Sequence, residues 1–174
     1  MSVVSIRPVA LADIAPITRI YAHAVLHGTA SFEIDPPDEA EMARRLCVLV
    51  DGGYPYLVAQ VDGAVAGYAY AGAYRTRPAY RSTVEDSVYV APDAYRRGLG
   101  RALLARLIAD AEARGFRQMI AVIGDSRQVA SIELHRALGF TPVGTFISVG
   151  FKQGCWLDTV LMQRPLGPGD TTVP

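Results

Sequence analysis

The chain has 174 residues, 51% of them hydrophobic and 20% charged, which suits one domain with a substantial core and argues against disorder. Seventeen basic side chains balance seventeen acidic ones, so no global field draws the protein to nucleic acid or an anionic membrane, and any anion site must be local. Cys47 and Cys155 lack CxxC spacing and read as two buried free thiols of a reducing cytoplasm. Arg7, Asp13 and Arg19 interrupt any signal-peptide block, and the uncharged run from Gly63 to Tyr74 is too short and glycine-rich to span a bilayer. A soluble cytoplasmic protein is expected.

Ser2–Pro8 reads as a short edge strand. Leu11–Leu26 follows as a helix, with Ile14, Ile17, Ile20, Tyr21 and Val25 at helical spacing. His27–Pro37 is a loop closed by two prolines. Asp38–Val50 is a second helix, with Met42, Leu46 and Leu49 on one face. Tyr56–Val61, Ala64–Tyr74 and Ser82–Val90 read as strands, the first two joined by the hairpin signal Asp62-Gly63. A helix over Gly98–Arg114 is capped by Gly115. Gln118–Ile123 is a buried strand, Val129–Leu138 a helix stopped by Gly139, and two further strands end near Gln163. One domain over residues 1–166 and a flexible tail over 167–174 are expected. Antiparallel strands early and a strand–helix–strand–helix–strand series late imply a mixed sheet with helices on both faces.

Gly98 and Gly100 sit among arginines where the third long helix begins. Glycine costs roughly 0.8–1.0 kcal/mol against alanine inside a helix, so two at the entrance suggest that bare backbone is wanted there. A helix start offers unpaired N–H groups and the positive end of a dipole. Hydrogen bonds to charged groups contribute roughly 1.5–3 kcal/mol each, whereas the dipole adds about 0.3–1 kcal/mol. On this account the backbone grips a pyrophosphate, and Arg96, Arg97 and Arg101 supplement it. A dinucleotide fingerprint would need glycine at Leu103, and no Gly-Lys-Ser/Thr follows for a phosphate-binding loop. A tight loop before a basic-rimmed helix that binds nothing is the plain alternative.

The segment DSVYVAPDAYRRGLGRALL resembles motif A of the GNAT superfamily of acetyl-CoA-dependent N-acetyltransferases, and ASIELHRALGF resembles its motif B. YRTRPAYRSTVEDSVYV, AVIGDSRQVASIELHRALGF and VGFKQGCWLDTVLMQRPL are similar to the phosphinothricin/methionine sulfoximine acetyltransferase branch, so the likeness runs from Ser2 to Leu166. It implies an α/β (α+β) fold: a mixed, mostly antiparallel sheet splayed between its fourth and fifth strands, with acetyl-CoA in the gap. Val88, Tyr89 and Val90 would pair through backbone with the pantetheine arm. Arg96, Arg97, Gly98, Leu99, Gly100 and Arg101 would surround the pyrophosphate. Tyr95 stands where relatives often carry Gln or Arg, a small loss if main chain does the binding. Gln128 stands where relatives often carry a cofactor-touching Asn.

Acyl transfer to an amine requires a neutral nitrogen, a stabilised carbonyl oxygen and a departing thiolate. An amine of pKa about 8 or above is mostly protonated near neutrality, so a general base helps. Glu85, in a strand with apolar Val84, Val88 and Val90, is the leading candidate; an ion pair with Arg75 or Arg77 is the plain alternative. A backbone N–H of Val88 or Tyr89 could hold the oxyanion. His135 occupies a motif B position where many relatives have a tyrosine acid. It either protonates the sulfur, serves the base, or is a hydrogen-bonded structural histidine. Arg75 and Arg77, read as alternate strand residues on one face, suit a carboxylate. The resemblance implies that Arg75, Thr76, Arg77, Glu85, Asp86 and Ser87 line an amino-acid pocket closed by Phe32, although strand alternation turns Asp86 to the opposite face. His23 and His27 have no assigned role, and tyrosine packing in the sheet is favoured over a substrate role for Tyr80 or Tyr89.

Together these readings predict direct acetyl transfer, within a ternary complex, to the α-amino group of a small amino-acid-like acceptor such as phosphinothricin or methionine sulfoximine. No metal, nucleic acid or membrane partner is expected, and the resemblance implies a homodimer with the pocket near its interface. Acetylation of a polyamine, aminoglycoside or protein amine, and a non-catalytic acetyl-CoA sensor, are the competing readings.

Overall fold

A computed structural model describes residues 3–174; the Ser2 start of the expected edge strand lies outside them. In chain order the elements are β1 (Val4–Pro8), α1 (Ile14–His27), α2 (Glu39–Asp51), β2 (Tyr56–Val61), β3 (Ala64–Ala73), β4 (Thr83–Val90), α3 (Leu99–Ala113), β5 (Gln118–Gly124), α4 (Val129–Ala137), β6 (Thr141–Lys152) and β7 (Cys155–Pro165). The first turn of the expected opening helix, Leu11–Asp13, is 3-10. Seven strands form one sheet in the order β1-β2-β3-β4-β5-β7-β6. Only β4 and β5 run parallel, and the helix α3 between them supplies the crossover that a parallel pair requires.

Turn chemistry fixes the hairpin registers. Asp62 and Gly63 join β2 to β3 with φ of 51° and 85°, the paired positive angles of the tight turn that matches strand twist. Gln153 and Gly154 do the same between β6 and β7, at 51° and 77°. Asp38 caps α2 by accepting the Glu41 N–H at 2.8 Å, which satisfies one of the donors left free at a helix start.

Period-two alternation in β3 sends Tyr68 and Tyr70 to one face of the sheet and Ala69 and Ala71 to the other. The small residues let α3 lie close: Leu103, Leu104 and Leu107 are fully buried against Leu57, Ala59, Ala69, Ala71 and Val84. The tyrosine face carries α1 and α2 through Ile14, Ile17, Val25, Met42 and Leu46. Helices thus cover both faces of the sheet.

One expectation gives way. Cys47 is exposed and Cys155 half-buried, both free, so neither is the core thiol expected of it. Residues 167–174 fold back in turns, with Gly169 N–H on the Leu166 carbonyl and Thr171 N–H on that of Pro168. Arg117 donates to Thr172 Oγ1 and to the Val173 carbonyl at 3.0 and 3.1 Å. Among the described residues, no helix is long and apolar enough to cross a membrane.

Leu104→Ala, which empties a fully buried position in the α3 contact, should cost about 2–5 kcal/mol in urea unfolding; a loss below ~1 kcal/mol would mean that α3 is not the seat of the core.

Candidate active site

The strands β4 and β5 pair only from Thr83↔Gln118 to Asp86↔Ala121. Beyond that, β4 follows β3 as far as Val90↔Gly67, while β5 follows β7 as far as Gly124↔Thr159. Two neighbouring strands therefore part in the middle of the sheet, the splay expected between the fourth and fifth. Val88, Tyr89 and Val90 lie on the β4 branch.

Past the end of β4 the chain turns through Arg96 and Gly98, with φ of 63° and 77°, into α3. The Ala102 N–H closes the first helical bond on the Gly98 carbonyl at 3.0 Å, so the N–H groups of Leu99, Gly100 and Arg101 lie ahead of it. Gly98 is required by its left-handed backbone. Gly100 is different. A methyl there would meet Leu134 Cδ2 at 3.5 Å and Val90 Cγ2 at 3.8 Å, ordinary contacts, so the protein's own packing does not demand glycine. Those neighbours also place the start of α3 beside the end of β4 and beside α4. Arg96, Arg97 and Arg101 are exposed around it and Leu99 is buried. Free amides, a helix dipole and three guanidinium groups thus converge at this corner, an arrangement whose chemistry suits an anion.

Glu85 and Ser87 face the tyrosine side of the sheet, Ser87 opposite Tyr70 in register. Burial raises the Glu85 carboxyl above its ordinary value, the neighbouring Asp86 carboxylate adds to this, and Arg75 opposes it. Burial also raises the Tyr70 hydroxyl; the lesser influences of Ser87, Glu85, Arg45 and Glu33 gather those groups around it. Tyr89 stacks on Tyr68 at 5.2 Å and meets Tyr21 edge-on at 5.1 Å, while Tyr80 packs on Tyr74. The alternation expected of Arg75 and Arg77 does not hold, because β3 ends at Ala73. Pro78 opens a 3-10 turn capped by Arg77. Arg75, Thr76 and Arg77 are exposed on this connection, with the Arg75 guanidinium 5.1 Å over the Tyr74 ring.

Asp86 is turned away from that group. Its side chain is 2% exposed and bonds His135 Nε2 at 3.0 Å on the α4 side, while His135 Nδ1 reaches the Ser131 carbonyl at 2.7 Å. The Asp86 carboxylate, expected in the acceptor pocket, is thus committed to the histidine. Both imidazole nitrogens face acceptors, the arrangement that suits the doubly protonated ring. Burial pulls the His135 pKa down, but the Asp86 hydrogen bond and charge and the Ser131 carbonyl outweigh it, and the net shift is upward. The pair sits at the point where the strands part.

Phe32 lies in the α1–α2 loop with its ring against Gly124 and Gly150. Gln128, the residue before α4, donates its side-chain amide to Thr29 Oγ1 at 3.1 Å, and Thr29 donates to Asp125 at 2.6 Å. Sequence reasoning missed this loop's other anchor, Lys152. The signal was compositional: Lys152 is the single lysine in a chain whose other sixteen basic residues are arginine. It is 5% exposed and donates to the Ser31 carbonyl at 2.7 Å.

Comparison with known proteins accords with this geometry. The sequence profile of the acetyltransferase (GNAT) family matches residues 17–140. A phosphinothricin N-acetyltransferase of Alcaligenes faecalis is 59% identical over 162 residues, 93% of this chain and 82% of that protein. An L-methionine sulfoximine/L-methionine sulfone acetyltransferase of Salmonella typhimurium is 45% identical over 160 residues, 89% of this chain and 90% of that one. Among solved structures, a GNAT superfamily phosphinothricin acetyltransferase from Sinorhizobium meliloti in complex with AcCoA superposes with a TM-score of 0.96 at 52% identity, over 98% of this chain and 92% of that one. The chain belongs to the GNAT family of acetyltransferases.

The buried pair generates a pH prediction. A histidine whose folded pKa lies above its unfolded value contributes stability that is full below about 6.5 and is lost as pH rises through the folded value. Melting temperature should therefore fall over that window in the wild type. Asp86→Asn, which keeps the shape but removes the charge, should flatten the slope; an unchanged slope would show that the pair does not carry it.

Proposed function

We propose that this chain transfers the acetyl group of acetyl-CoA to the α-amino group of a small amino-acid-like acceptor, phosphinothricin or methionine sulfoximine among them, by direct transfer in a ternary complex. The single observation that carries the reading is a half-buried carboxylate, Glu85, at the root of a parted strand pair whose far end meets an exposed, arginine-rimmed helix start. The named activities of the relatives supply the acceptor class.

The residues present suit a coenzyme A thioester. Leu99, Gly100 and Arg101 N–H groups, with Arg96 and Arg97, would hold the pyrophosphate, and the Val88–Val90 branch, unpaired on its β5 side, would meet the extended arm. Bound there, acetyl-CoA would supply an activated thioester: the C–S bond breaks as the new N–C bond forms, and coenzyme A leaves as a thiolate that takes up the second proton lost by the acceptor nitrogen. Glu85 takes the proton from the acceptor's ammonium group, a task its raised pKa suits. A Val88 or Tyr89 N–H donates to the carbonyl oxygen as charge develops. Arg75, with Arg77 alongside, takes the acceptor carboxylate; a polyamine or aminoglycoside would meet repulsion there. Asp86 and His135 serve from behind the strand, by fixing its position at the fork.

Thiol release tests the reading. The wild type should turn over with methionine sulfoximine and not with spermidine; release with spermidine alone moves the acceptor class, and no release with any amine despite coenzyme A binding leaves a sensor. Because Glu85 acts deprotonated, kcat/KM should rise with pH through a value above the ordinary carboxylate pKa of 4.5. Glu85→Gln should lose about 10²–10⁴-fold in turnover and the acidic limb with it. Full turnover in that variant on the acidic side would remove Glu85 from the role.

The functional unit is proposed to be a homodimer. From Pro142 to Phe151 the edge strand β6 carries no charged side chain, and Val143, Phe146, Ile147, Val149 and Phe151 are all exposed. Natural edge strands are normally blunted by charge, so this one suits a second copy of the chain. Sedimentation should give twice the chain mass for the wild type and the single mass for Ile147→Asp; a monomeric wild type at micromolar concentration defeats the proposal.

A further inference from the structure

The α1–α2 loop and the β6–β7 hairpin, far apart in sequence, are locked together at the fork. The Phe32 ring occupies space that exists only because position 150 lacks a side chain: a Cβ there would lie 2.3 Å from Cε2 and 2.6 Å from Cδ2. The three atoms nearest to it all belong to that ring. On its other side, a Cβ at Gly124 would meet Cε1 at 2.9 Å and the Ala30 carbonyl oxygen at 2.7 Å. Gly124 ends β5, so the ring lies along the β5 branch of the fork. The residue before it is fixed as firmly: Lys152, two positions past Gly150, buries its ammonium on the Ser31 carbonyl. Ser31 Oγ in turn meets the Tyr21 hydroxyl at 3.0 Å, and Tyr21 packs edge-on against Tyr89 of the β4 branch. A wall tied to both branches of the fork is a poor candidate for a mobile lid and a good one for a fixed gauge.

We propose that Gly150 and Lys152 are positioning residues that set acceptor binding, by seating Phe32 as an immobile wall of the acceptor pocket. The proposal rests on the amino-acid acetyltransferase reading given above. Gly150 supplies the recess and Lys152 the tether. A buried lysine concentrates its charge at a single small ammonium, which reaches one carbonyl where a guanidinium would need room for a planar fork. Neither residue touches the arginine-rimmed corner at the start of α3, so acceptor and cofactor affinities should respond separately.

Steady-state kinetics on the full chain test this with methionine sulfoximine as acceptor. Gly150→Ala should raise the acceptor KM about tenfold, with kcat within about threefold and the acetyl-CoA KM within about twofold, because uniform binding to one substrate alone is lost. Phe32→Ala should have a similar effect, and the double variant Phe32→Ala/Gly150→Ala should be no worse than Phe32→Ala alone, since the ring that the methyl would displace is then gone. Lys152→Met should raise the acceptor KM in the same selective way, and Lys152→Arg should not restore it. An unchanged acceptor KM, parallel rises in both KM values, or multiplicative effects in the double variant overturn the inference. If Gly150→Ala does not fold, as judged by circular dichroism, Lys152→Met carries the test with the same outcomes. Silence of the wild type defeats the functional reading and this inference together; an active wild type with an unaltered Gly150→Ala defeats only the inference.

Discussion

The site depends on one interruption: β4 and β5 stop sharing backbone hydrogen bonds after Asp86 and Ala121. Main-chain N–H and C=O groups are obligatory hydrogen-bonding groups, and a sheet normally leaves them unpaired only at its edges. Here an edge opens inside the sheet, between strands that remain fully paired on their outer sides with β3 and β7. Such an opening would close or collapse unless both branches were held. Their outer partners hold them, α3 and α4 meet beside the gap, and the Asp86–His135 pair braces its root. What this leaves is a stretch of main chain on each branch with no partner strand on its inner side.

Two adjacent carboxylates at that root live in different worlds because a strand turns successive side chains to opposite faces. Asp86 goes to the helix side, where it is paired with a histidine. Glu85 goes to the tyrosine side, where burial and the charge of its neighbour raise its pKa and one exposed arginine partly offsets them. The pairing of Asp86 thus does two things: it fastens α4 to the sheet and keeps a fixed negative charge close behind Glu85.

Much of the fold was legible because its signals are local. The four-residue repeat of Leu99, Leu103 and Leu107, the Asp62-Gly63 turn, and the glycines after α3 and α4, each with positive φ, are written within a few residues. The splay itself was not. Periodicity sees β4 and β5 as ordinary strands, and only the likeness of DSVYVAPDAYRRGLGRALL to a known motif implied that they part. Arg75 and Arg77 were misplaced on a strand because the alternation was extended past Ala73, where Pro78 and its turn take over. The Phe32 seat escaped altogether, since a glycine recess in β6 and a lysine on a carbonyl 121 residues away in sequence leave no short-range mark.

The isolation of Lys152 has a practical side. An enzyme that acetylates amines is exposed to acetylating its own surface, yet this chain offers it no accessible ε-amino group: sixteen basic side chains are guanidinium, and the seventeenth is sealed in the interior. Succinimidyl esters, which react with free amines, would find no accessible side-chain amine on the folded residues 3–174, so they would leave the basic surface of the fold unmodified.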